Sequence, residues 1–326
     1  MENSVNASHL SRRATLLGGL ALLGSASFAQ AADTLSVVAT TGMIADAARR
    51  IGGDLVDVRA LMGPGVDPHG YRQTRSDIVA MTRADLVLWH GLYLEAQMER
   101  FFEELGRKRT VVAAAEALPK DSLLSHPSYN GRYDPHVWMD PTTWQGVVTE
   151  IAATLTAARP DHAGTFAQNA ENYQAELTAL AGYAADALTK VPQDQRVLVT
   201  AHDAFGYFGH AFGFEVIGIQ GISTASEAGL NRISELVDDL VNRKIGAVFV
   251  ETSVSDRNMR ALIEGAAAQG HEVRIGGSLY SDAMGSDGTY EGTYIGMIDH
   301  NVTTIATALD ADIAPSGLQG KLAQGS

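Results

Sequence analysis

The chain has 326 residues, is 45% hydrophobic and carries a formal charge of −14, a composition that suits one large buried core or two ordinary ones. This balance excludes fibrous and disordered classes, and it argues against a nucleic-acid partner, which would need a basic face. With no cysteine in the sequence, a disulfide framework, a thiolate metal site, a thiol nucleophile and a lipidated N-terminal cysteine are all ruled out, so any metal has to be held by nitrogen and oxygen.

Residues 1–31 read as an export signal. Ser11-Arg12-Arg13-Ala14-Thr15-Leu16 precedes an apolar run from Leu16 to Phe28, and Ala29-Gln30-Ala31 supplies the small residues that a signal peptidase requires. The run is shorter than the roughly 20 residues needed to cross a bilayer. The paired arginines resemble a twin-arginine signal, with ordinary secretory export as the alternative. Cleavage after Ala31 removes Glu2, Arg12 and Arg13, leaving a mature formal charge of −15. The expected product is a soluble periplasmic protein.

Apolar runs and helical periodicities then alternate. Strands are predicted over 34–40, 55–62, 85–89 and 110–115, with helices over 43–51, 76–83 and 95–105 between them. A polar loop over 119–134 leads to a helix over 141–158. The longest predicted element spans 161–191, where Phe166, Ala170, Tyr173, Leu177, Leu180, Ala184, Leu188 and Val191 form one stripe at spacings of three or four. Pro160 precedes it and Pro192 stops it. Alternation resumes with strands over 196–201, 215–219, 247–250 and 273–276 and helices over 204–212, 233–243, 258–268 and 292–309. The tail beyond Asp310, rich in Gly, Ser, Pro and Gln, is expected to fray.

Repeated strand–helix alternation predicts parallel sheets covered on both faces. The expected fold class is therefore α/β. Two Rossmann-like lobes, 32–160 and 192–326, would be joined by one long rigid helix over 161–191, leaving a cleft between them.

One tripeptide occurs twice, as Asp67-Pro68-His69 and Asp134-Pro135-His136. Proline fixes its own φ and extends the residue before it, so each copy is a stiff loop that presents its imidazole in one direction. The aspartate could accept the ring N–H that a metal leaves free. In open α/β sheets ligands sit beyond the carboxyl ends of the strands. His69 and His136 satisfy that rule in the first half, His202 and Asp282 in the second. Three imidazoles and a carboxylate suit a divalent first-row metal and not Ca²⁺ or Mg²⁺. Taken singly, His202 also reads as a core histidine capped by Asp203, and Asp282 as the start of a turn.

Together with Asp134-Pro135-His136-Val137-Trp138-Met139-Asp140, the segments Thr200-Ala201-His202-Asp203-Ala204-Phe205-Gly206-Tyr207-Phe208, Gln220-Gly221-Ile222-Ser223-Thr224 and Ser281-Asp282-Ala283-Met284-Gly285 resemble the motif series of the TroA-like zinc and manganese binding proteins. The resemblance covers essentially the whole mature chain. It implies a metal solute receptor of an ABC importer, with one Zn²⁺ or Mn²⁺ carried between the lobes by His69, His136, His202 and Asp282. It also implies delivery to a permease in the inner membrane, and the receptor is expected to act as a monomer. Manganese-associated members tend to have glutamate at the position of His202. Zinc-dedicated members often insert a histidine-rich loop before the second ligand, whereas here that loop contains only His126. The sequence-level alternative is a zinc hydrolase or lyase, since three histidines and an open position also describe catalytic zinc; an adhesin is a third. Glu251 and His90 are candidates to support a ligating ring, while His126, His162, His210, His271 and His300 read as solvated or packed.

Overall fold

The computed structural model describes residues 34–125, 131–226 and 228–322, together with Met1. The expected export signal, Met1 apart, and His126 lie outside the described residues. The first half runs β1 (Leu35–Ala39), α1 (Gly42–Gly52), β2 (Val56–Ala60), α2 (Arg75–Arg83), β3 (Leu86–Trp89), α3 (Glu99–Gly106), β4 (Thr110–Ala113) and α4 (Pro141–Ala158). Helix α5 (Ala163–Leu188) follows. The second half runs β5 (Val197–His202), α6 (Gly206–Phe212), β6 (Glu215–Gln220), α7 (Leu230–Arg243), β7 (Ala247–Glu251), α8 (Arg257–Ala268), β8 (Arg274–Leu279) and α9 (Tyr294–Ala308).

The strands form two four-stranded parallel sheets, ordered β2-β1-β3-β4 and β6-β5-β7-β8. The same order in both halves is the α/β architecture that the sequence predicts. Within each sheet the pattern of side chains follows position. Central β1 and β3 are apolar and buried almost throughout, because both of their faces are covered, whereas edge strand β2 alternates between buried and exposed residues. In register, Val37 of β1 pairs with Val58 on one side and Leu86 on the other.

Helix α5 has 26 residues and is about 39 Å long at 1.5 Å per residue. All eight apolar positions of the predicted stripe are buried. They pack α5 against α1 and α4 of the first half and α9 of the second. The core is therefore continuous through this helix, and Trp144 of α4 stacks on Tyr294 of α9 with ring centroids 5.4 Å apart.

Two expectations need correction. The helix predicted from residue 95 begins at Glu99, because Leu92 and Tyr93 take positive φ and turn the chain. Glu95 is withdrawn into the core, where its carboxylate accepts the Thr40 hydroxyl at 2.6 Å and the His90 N–H at 2.8 Å. The tail beyond Asp310 is not frayed as far as Leu322, since Ala311 and Leu322 are buried and the Leu318 N–H donates to the Asp299 carboxylate at 2.9 Å. Gly317 makes that approach possible: its φ is +73°, and a Cβ there would lie 2.5 Å from Asp299 Oδ1.

Candidate metal centre

The four candidate residues come from four separate segments, each at or beyond the carboxyl end of a strand. His69 lies in the loop after β2, His136 precedes a single 3₁₀ turn (Val137–Met139) leading into α4, His202 is the last residue of β5, and Asp282 follows β8. They converge, and one ligand-capable atom from each lies within 4.8 Å of all the others. Relative exposures are 2% for His69 and Asp282 and 0% for His136 and His202.

The spacing fits an ion. His69 Nε2 is 3.2 Å from His136 Nε2, His136 Nε2 is 3.4 Å from Asp282 Oδ1, and His202 Nε2 is 3.2 Å from Asp282 Oδ2. A tetrahedral site with metal–ligand bonds of about 2.0–2.1 Å has edges of about 3.3–3.4 Å. Both Asp282 oxygens and His202 Nε2 are buried without an aligned hydrogen bond, although they stand at ion-pair distance. Buried polar atoms that face a common centre without aligned hydrogen bonds are costly, and a cation that joins them removes that cost.

Two of the rings are fixed from behind. Asp134 Oδ1 lies 2.7 Å from His136 Nδ1 and accepts the His136 backbone N–H at 2.9 Å. Glu251 holds His202 in the same way, with Oε2 2.5 Å from Nδ1 and Oε1 accepting the backbone N–H at 2.9 Å. Asp203 is therefore not the group that holds the His202 ring. Asp67 also departs from expectation: it accepts the His69 backbone N–H at 2.8 Å, but its other oxygen accepts the Thr224 hydroxyl at 2.5 Å.

Charge separates the three imidazoles. Burial alone would lower the His136 pKa, yet the Asp134 and Asp282 carboxylates raise it to about 9. Against the same burial, Asp282 and Glu251 hold His202 well above its ordinary value. Asp282, which burial would raise, is held well below the usual carboxylate range by His202 and His136. His69 falls to about 3 chiefly through burial, against the pull of Asp282 and with repulsion from His136 and His202 adding to the fall.

The family model of the periplasmic zinc-uptake complex component A, ZnuA, matches residues 37–308. This chain belongs to the ZnuA family. It is 49% identical over 288 residues to the manganese-binding lipoprotein MntA of Bacillus subtilis (strain 168), spanning 88% of this chain and 94% of that protein. It is 46% identical over 273 residues to the zinc-binding protein TroA of Treponema pallidum (strain Nichols), spanning 84% and 88% respectively. The solved structure of periplasmic zinc binding protein TroA from Treponema pallidum matches with a TM-score of 0.83 at 45% identity, covering 85% of this chain and 99% of that one. ZnuA-family proteins serve metal ABC transporters as binding components and are not enzymes, which disfavours the hydrolase or lyase alternative.

Around the cluster, this ZnuA-family chain ties its halves together through residues outside the candidate ligand set, two of which, Trp138 and Ser281, lie in the motif segments. Trp138 Nε1 donates to the Ser281 carbonyl at 2.8 Å, and the Tyr294 hydroxyl donates to the Trp138 carbonyl at 2.8 Å. Asp46 accepts the Tyr294 N–H at 3.2 Å. Trp138 and Ser281 adjoin ligand candidates in sequence, which is the signal that would have found them. His90 supports the second Asp-Pro-His turn indirectly, with Nε2 2.7 Å from the Pro135 carbonyl. Burial lowers its pKa to about 3, so the neutral ring donates. His162, His210, His271 and His300 lie outside the cluster; His271 and His300 contact the Ile245 and Ser278 carbonyls at 2.8 and 2.9 Å. A cavity of about 790 Å³ along β6 and α7 is lined by none of the four candidates, whereas a smaller one of about 140 Å³ reaches Asp282 between the loops at 60–66 and 282–287.

Proposed function

We propose that this protein captures one divalent first-row metal ion through His69, His136, His202 and Asp282 and delivers it to an ABC permease in the inner membrane. The convergence of four buried donor groups from four distant segments carries this function. The ion is cargo, so a closed donor set without room for an activated water suits capture better than turnover. Residues 32–160 and 192–326 act as two lobes on the connecting helix at 161–191. The mature protein, released after Ala31 by a cleaved signal, works in the periplasm as a soluble monomer.

Three nitrogen donors and one oxygen favour Zn²⁺ over Mn²⁺ in intrinsic affinity, so Mn²⁺ is carried where it is the more available ion. The relatives named above support both cargoes, one being named for manganese and one for zinc. Elemental analysis of protein purified from its own periplasm, followed by competition between Zn²⁺ and Mn²⁺, tests the assignment. One equivalent of either metal, lost in His202→Ala and Asp282→Ala variants, is the expected result; bound metal that survives both substitutions would refute the ligand set.

A further inference from the structure

The two Asp-Pro-His copies are used differently. In the second copy, Asp134 turns its carboxylate onto its own imidazole. In the first, Asp67 keeps one oxygen on the His69 backbone N–H and points the other at Thr224, 157 residues away in the other half. Thr224 sits in the loop after β6, within the Gln220-Gly221-Ile222-Ser223-Thr224 segment that the metal cluster itself does not use. The contact is short, and a hydroxyl donating to a carboxylate is among the stronger hydrogen bonds. It also differs in setting from the Trp138–Ser281 and Tyr294–Trp138 ties, which are buried in the core, because both Asp67 and Thr224 are half-exposed. Water can replace this bond when it opens, which makes it suited to repeated breaking and reforming.

We propose that Thr224 is a positioning residue for the bound ion: its hydroxyl latches the second half of the protein onto Asp67, holds the backbone of His69 in place through that carboxylate, and so sets how fast the metal leaves. Thr224 touches neither the ion nor a ligand ring; it acts through Asp67. The proposal rests on the metal-capture function above. Breaking the latch frees the loop carrying His69 from the opposite half while leaving His136, His202 and Asp282 with their own supports.

The test is Zn²⁺ release from the loaded full-length mature protein into excess chelator, followed by stopped flow. Thr224→Val, which keeps the shape and removes the hydroxyl, is expected to release Zn²⁺ about tenfold faster or more, the weight of one charge-assisted hydrogen bond. Thr224→Ser restores the wild-type rate to within about twofold. Cooperative melting of the metal-free protein in both variants, with Thr224→Ser at the wild-type temperature and Thr224→Val lowered by no more than one hydrogen bond accounts for, separates positioning from general loss of structure. Combining Thr224→Val with Asp67→Asn accelerates release by less than the product of the single effects. Release from Thr224→Val at the wild-type rate, or from Thr224→Ser as fast as from Thr224→Val, overturns the latch alone. A wild-type protein that retains no Zn²⁺ overturns the capture function and the latch with it.

Discussion

Glu251 grips His202 at two points, accepting its backbone N–H at 2.9 Å while its other oxygen stands 2.5 Å from Nδ1. Asp134 makes the same pair of contacts to His136 with a single oxygen. In each case the carboxylate holds the proton on Nδ1 and aims Nε2 at the centre of the cluster, where it is free to ligate once its own proton has left. The two gripped rings face Asp282, one on each of its oxygens.

Removing either grip should weaken metal binding without removing a ligand. Glu251→Ala is expected to lower affinity about tenfold to a hundredfold, the usual effect of losing the partner behind a ligating histidine. Glu251→Gln should lose less, because its amide oxygen can still accept from Nδ1. Chelator competition measures both; equal affinities for Glu251→Ala and wild type would show that the carboxylate does not tune the ring.

Metal uptake should release protons at neutral pH. His136, at about 9, and His202, well above its usual value, are both protonated at pH 7 in the metal-free protein, and a ligating Nε2 must be deprotonated. Calorimetry in buffers of differing ionisation enthalpy should therefore report about two protons released per ion at pH 7, and affinity should rise with pH up to about 9. The metal-free fold behaves in the opposite sense. A histidine raised above its unfolded value stabilises fully below about pH 6.5 and loses that contribution as pH climbs through its folded pKa, at about 1.4 kcal/mol per pH unit for each group. His69 and His90, both lowered to about 3, cost stability only below about pH 6.5 and do not act in that window. Thermal melts between pH 7 and 9 should show the metal-free protein weakening while the loaded protein does not.

Trp138→Phe should loosen the tie between the halves. The substitution keeps an aromatic ring in a fully buried position but deprives the Ser281 carbonyl of its indole donor. An unsatisfied buried carbonyl costs about 1–3 kcal/mol, and the lost packing of the larger ring adds to it. Denaturant unfolding of the metal-free variant should show that loss, and because Ser281 adjoins Asp282, metal affinity should fall as well. A variant as stable as wild type would mean that water replaces the indole at no cost.

What the sequence makes legible here is whatever depends on near neighbours along the chain. The α5 stripe shows because its buried positions recur every three or four residues, and the strand–helix alternation shows for the same reason. The ligand candidates are visible because they follow strands and because one tripeptide recurs. The support for those ligands is another matter: Glu251 lies 49 residues from His202, Trp138 lies 143 from Ser281 and Thr224 lies 157 from Asp67. Glu251 is legible as an acid that follows a strand, and its expected support of a ligating ring is found at His202, while Trp138 and Thr224 are legible only as members of the motif segments. Which distant residue each one meets is not written in the local sequence. Glu95 misleads for the opposite reason. Its position suits a helix start, yet a buried carboxylate serving Thr40 and His90 decides where the chain turns. The tail misleads through composition alone, since Gly317 is needed for close approach to Asp299 and not for flexibility.

Exchanging the third imidazole for a carboxylate tests donor chemistry and support together. His202→Glu replaces a nitrogen with an oxygen, which should reduce the preference for Zn²⁺ over Mn²⁺. The new carboxylate would, however, stand against Glu251, which now lies 2.5 Å from the ring, with Asp282 on the other side. Like charges in a buried site raise one another's pKa, so one of them stays protonated near neutral pH. The single variant should therefore bind both ions at least about tenfold more weakly, since each pKa unit of such a shift costs about 1.4 kcal/mol. Pairing His202→Glu with Glu251→Gln removes the repulsion and supplies an amide that can donate to the new carboxylate. Binding should recover, and the ratio of Zn²⁺ to Mn²⁺ affinity in competition titration should be lower than in wild type. If that ratio is unchanged in the double variant, the side chain at 202 is not a donor to the ion, and the cluster holds its cargo through the other three groups.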